Sequence, residues 1–165
     1  MLHIRYRLLR LSFATAIRLC LLGVVIAPTP RVLGQTSLNA FAGTWTGTST
    51  CVGNRPACKN EIVVYRFVSV AGHPKQLRQL ADKIIEGKRV PMGALVYEFN
   101  ERTKMLESEF KIGHTHGIWS YAVAGDSLTG KLTILPERSV GRDVKVHRVK
   151  DTEVPAAPAL REYDE

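Results

Sequence analysis

The chain has 165 residues, 23 of them basic and 15 acidic, for a formal net charge of +8. Five basic residues (Arg5, Arg7, Arg10, Arg18, Arg31) and no acidic ones precede Gln35, so residues 35–165 hold 18 basic and 15 acidic side chains, a net +3. That stretch is long enough for one domain with a single core, and it has no basic stripe interleaved with aromatics, which argues against a nucleic-acid partner.

Residues 1–34 read as a secretory signal. A basic start is followed by a nine-residue apolar run from Leu19 to Ala27, the breakers Pro28 and Pro30, and the small-residue ending Val32-Leu33-Gly34. The run is too short to span a bilayer, which takes about 20 apolar residues, so no stable membrane insertion is expected once the leader is cleaved. Cys20 lacks the small preceding residue of a lipidation site. The expected location is periplasmic or secreted.

The first strand is expected over Gly43–Cys51, where Thr44, Thr46, Thr48 and Thr50 share one face and Trp45 and Gly47 the other. Cys51 and Cys58 flank the turn formers Gly53, Asn54 and Pro56. In an oxidising compartment this even pair should form a disulfide across a loop. Two thiolates make only half a zinc site, and the spacing is not Cys-x-x-Cys. Glu61–Val70 is rich in β-branched and aromatic residues and reads as a second, well-covered strand.

Over residues 74–86 the pattern changes. Leu77, Leu80, Ala81, Ile84 and Ile85 recur at helical spacing, Pro74 suits a first helical turn, and Gly87 suits a stop. One helix is therefore expected between strands two and three. Five further strands follow. Residues 93–100 place Leu95, Tyr97 and Phe99 on one face; 105–111 come after a turn; 118–124 place Trp119, Tyr121 and Val123 together. Gly125-Asp126 is a hairpin signal. Ser127–Leu135 alternates cleanly, and residues 142–150 put Arg142, Val144, Val146 and Arg148 on one inward face. Short connections imply antiparallel neighbours. The expected fold is mainly β, an antiparallel up-and-down meander forming a barrel or strongly curved sheet. The domain should span 35–151, and the tail 152–165 lacks periodicity and is expected to be disordered.

Gly43-Thr44-Trp45 near the start and Arg148 in the last strand resemble the lipocalin and fatty-acid-binding-protein group, the calycins. That group carries a Gly-x-Trp on its first strand and a late arginine across the tryptophan ring at the closed end of a barrel. The likeness is closest to small secreted bacterial proteins of unknown function with a lipocalin-like barrel. The seven strands read here compare with eight in a lipocalin. The resemblance implies structural roles for Gly43, Trp45 and Arg148, and a binding module.

Large rings crowd the apolar inventory. Tyr97, Phe99, Trp119 and Tyr121 are expected to wall a site for one small apolar molecule. One alternative is a filled barrel serving a structural role or an exported protein partner through a strand edge. Another is a metal or haem site at His114 and His116, whose i, i+2 spacing points both imidazoles one way on an extended segment; otherwise no cofactor is expected. Enzyme readings lack support. Glu107 and Glu109 sit on a polar face beside Lys111, Ser120 has no evident triad, and Gly87-Lys88 lacks the rest of a phosphate loop.

Overall fold

The computed structural model describes residues 36–163; the expected signal peptide lies outside them. Eight strands follow in chain order: β1 (Gly43–Cys51), β2 (Glu61–Val70), β3 (His73–Ile85), β4 (Lys88–Asn100), β5 (Met105–Ile112), β6 (Thr115–Ala124), β7 (Ser127–Leu135) and β8 (Ser139–Val149). Each pairs antiparallel with the next, and β8 returns to β1 to close the barrel. The up-and-down meander expected from the alternation is therefore present, with eight strands in place of seven.

The added strand corrects the expected helix. Residues 74–86 form most of β3 and its turn, and no long helix occurs among the described residues. The cause lies in what each face of β3 meets. Leu77 and Ala81 belong to the interior cluster, but Gln79 stands between them and breaks the period-two signal. Leu80 and Asp82 have the opposite parity, yet they are only 2% and 0% exposed. With both faces covered, Leu77, Leu80 and Ala81 fall at i, i+3 and i+4 without any helix. Pro74 sits near the strand start beside a register shift, where a missing donor is tolerated. Glu86 and Gly87, both at positive φ, form a two-residue hairpin turn.

At one end, which we call the closed end, the short 3-10 turn Leu38–Ala40 leads into β1. Phe41, Trp45, Phe67, Tyr97, Phe99, Leu106 and Leu128 pack there and upward into the lumen as one buried cluster. At the opposite end, Cys51 and Cys58 are bonded, with Cα atoms 6.0 Å apart, bracing the loop between β1 and β2. Loop closure of this length stabilises by roughly 2–3 kcal/mol.

The C-terminal segment, expected to lack order, carries 3-10 turns at Asp151–Glu153 and Leu160–Tyr163. Asp151 accepts a hydrogen bond from Thr44 of β1, and Tyr163 is buried against β4. The segment thus returns over the outside of the wall, where Val64 and Leu80 are also buried. No helix among the described residues is long and apolar enough to cross a membrane.

Candidate functional site

The lumen has two halves of different character. The closed half is solid. Trp45 is fully buried, its indole N–H donates to the Phe41 carbonyl at 2.8 Å, and the Arg148 guanidinium lies 4.1 Å from its ring centroid. Register sets this contact, because Trp45 and Arg148 are direct partners across β1 and β8. Arg148 also donates to the carbonyls of Ala42 (2.6 Å) and Ala40 (2.7 Å) and pairs with Asp126. A Cβ on Gly43 would stand 2.9 Å from an Arg148 nitrogen, so a glycine leaves room for the guanidinium. Above it, Phe67, Tyr97 and Tyr121 meet edge to face at 5.6–5.9 Å between centroids, a favoured geometry for ring quadrupoles.

The open half contains a cavity of about 250 Å³. Tyr65, Ala81, Leu95, Phe110, Trp119 and Tyr121 supply its apolar lining. Trp119 and Tyr121 stack, 5.8 Å apart and 8° from parallel. Tyr121 leans over Gly130, its cross-strand neighbour, where a Cβ would come within 2.3 Å of the ring. Glycine at that position therefore lets the aromatic floor lie flat.

A polar chain runs along one wall. Tyr97 donates to the Gln79 side-chain oxygen at 2.8 Å, and Gln79 donates to the Tyr121 hydroxyl at 3.1 Å. The Tyr65 hydroxyl adjoins Tyr121 and Ser49. Arg142 donates to Ser49 Oγ at 2.8 Å, to the Lys59 carbonyl at 2.9 Å, and to Glu61 at 2.7 Å. These groups satisfy one another, and the Arg142–Glu61 pair cancels its own charge. Burial pushes the Tyr65 phenol up to about 12, against smaller lowering effects of Ser49 and Arg142. Burial also holds Tyr97 and Tyr121 well above the usual tyrosine range. All three are neutral hydrogen-bonding groups at ordinary pH.

Of the four expected wall residues, Trp119 and Tyr121 line the cavity, whereas Tyr97 and Phe99 pack in the solid half beneath it. Tyr97 still reaches the site through Gln79. The helical spacing of apolar residues over 74–86 masks the inward position of Gln79 on β3. Arg142 lies on the inward face expected for Val144, and Ser49, not singled out by its sequence, shares the parity of Trp45; no sequence pattern assigns either a role in the site. His116 faces Glu109 at 2.7 Å on the barrel exterior, and His114 occupies the turn between β5 and β6. Among the described residues no group of three His, Cys, Asp or Glu is placed to hold a metal ion. Glu107 accepts from Asn100 at 3.1 Å and lies outside the cavity.

Comparison of the chain with known protein families, with curated proteins and with solved structures finds no match. The class defined by the fold is a closed, eight-stranded antiparallel barrel, consistent with a lipocalin-like fold.

Proposed function

We propose that this is an exported, lipocalin-like binding module that holds one small, neutral, apolar molecule in the open half of the barrel. The observation that carries the reading is the cavity itself. The lumen is packed solid around Trp45, yet an aromatic-lined space remains around Trp119. Packed interiors leave few voids larger than a water molecule. Binding there would be driven by burial, with the Gln79 and tyrosine hydroxyl wall offering weak hydrogen bonds. A charged ligand is disfavoured, because Arg142 and Glu61 already neutralise each other and a third buried charge would lack a partner.

Export is supported by the leader pattern of residues 1–34 and by the Cys51–Cys58 bond. The mature N-terminus is expected close to Gln35. Native mass spectrometry of protein purified from its own host tests the binding reading. One small organic mass per chain, lost on denaturation, is the expected result. A bare polypeptide mass, combined with no uptake of an apolar dye by the purified protein, would leave the filled-barrel reading in its place.

A further inference from the structure

The barrel wall is not uniformly zipped. Every neighbouring strand pair but one holds seven or more residue pairs in register. Between β4 and β5 there are three: Glu98 with Glu107, Phe99 with Leu106, and Asn100 with Met105. All three lie at the closed end. From there towards the open end, residues 88–97 of β4 and 108–112 of β5 have no partner across the seam.

The cavity meets this seam. Its lining includes Gly93, Ala94 and Leu95 from β4 and Phe110 and Ile112 from β5, the two unpaired edges. Apolar side chains are exposed on both lips, Met92 at 40% and Ile112 at 66%. Isolated exposed apolar residues need no explanation, but a matched pair flanking an opening into an apolar cavity forms a continuous path from surface to interior. Parting these two edges further breaks no ladder hydrogen bonds, since none joins them.

The end of the barrel is more obstructed. The disulfide-braced loop from Arg55 to Cys58 faces Leu132, Ile134 and Gly141 on β7 and β8 across a shallow groove. Arg55 donates to Ser139 at 3.2 Å. Arg142 holds the loop's far side through Lys59. Opening this route would break these hydrogen bonds and work against a covalent cross-link.

We propose that the cavity is loaded sideways, through a slot between the unpaired stretches of β4 and β5. The inference rests on the binding reading above and adds the route. The slot favours flat or narrow ligands that can pass between two strand edges, and the Met92 and Ile112 lips make the first contact.

A removable clamp tests this. Continuing the register of Glu98 with Glu107 by two residues sets Val96 opposite Glu109. Neither side chain lines the cavity. V96C with E109C should allow a cross-strand disulfide that zips the slot. With N-phenylnaphthylamine as probe in stopped flow, the oxidised clamp is expected to slow association and dissociation together by about tenfold, with Kd kept within about twofold, because a route alters the barrier and not the end states. Mild reduction should restore both rates, with wild type under the same reductant as control. Where the clamp does not form, V96C alone carrying a bulky maleimide should slow both rates, and R55C with the same label should not. Unchanged rates in the clamped or V96C-labelled protein, with dye still bound, would overturn the slot and leave the binding reading standing. No dye uptake by wild type would remove both.

Discussion

At the residue scale, Arg148 joins the two ends of the chain. Its guanidinium lies over Trp45 and donates to two carbonyls that precede β1, so it closes the β1–β8 seam and caps the solid end of the lumen. Cation–π contacts contribute about 0.5–2 kcal/mol, and hydrogen bonds to a charged group about 1.5–3 kcal/mol each. Arg148→Ala is therefore expected to lower unfolding free energy by about 2–4 kcal/mol in urea titration. Arg148→Lys should recover less than half of that, because an ammonium cannot stack and fork at once. This site was legible early. Valines at 144 and 146 mark the inward face of the last strand, and an inward arginine requires an aromatic or anionic partner. Its carbonyl partners were not legible, since they depend on the turn at Leu38–Ala40.

At the scale of elements, β3 shows where local pattern and tertiary context part. A strand covered on one face alternates; a strand covered on both does not. The interior face of β3 carries Gln79, which polar partners make tolerable, and its exterior carries Leu80 and Asp82 under cover. Neither partner could be inferred from the strand itself. Asp82 is fully buried and pairs with Arg89 of β4 at 2.7 Å, with Tyr163 beside them. Breaking such a pair strands a charge in a dry site, at a cost of about 3–5 kcal/mol. Asp82→Ala should therefore destabilise by that amount in denaturant titration. The double variant D82A/R89M should recover most of the loss, because the buried cation goes with its partner. Equal losses in the single and double variants would contradict the buried-charge account. The bounds of β1, β2 and β7 agree with the alternation and composition read in the sequence, whereas β6 and β8 each begin three residues earlier than their pattern suggests, and the Cys51–Cys58 bond follows from spacing and compartment.

At the scale of the whole molecule, one half of the barrel is filled and the other is hollow; the phenols of Tyr65, Tyr97 and Tyr121 sit where the two meet, and Tyr163 is buried against the outside of the wall. Their folded-state affinity for protons is raised: Tyr65 and Tyr163 to about 12, Tyr97 and Tyr121 well beyond the ordinary value. An unfolded tyrosine titrates near 10. Below that pH both states are protonated and the full stability is present. As pH rises from about 10 towards 12, the unfolded chain releases protons that the folded chain keeps, and stability falls. Each phenol contributes a slope of up to about 1.4 kcal/mol per pH unit. The urea midpoint is accordingly expected to hold steady to about pH 9 and to drop steeply above 10, accompanied by tyrosinate absorbance only on unfolding. Gradual tyrosinate formation in the folded protein near pH 10 would show these rings to be solvated.

The hollow half is the basis of the binding account, and filling it is the most direct trial. Ala81 lines the cavity from β3, and its methyl group leaves space above it. Ala81→Leu adds apolar volume there without a polar atom or a change of charge. Titration of N-phenylnaphthylamine, followed by dye emission and Trp119 quenching, should give saturable binding to wild type at one site. The filled variant is expected to bind at least about tenfold more weakly while its urea midpoint stays level or rises, as cavity-filling changes do. Equal affinity in the two proteins, with the variant's fold intact, would place the dye elsewhere and contradict the account.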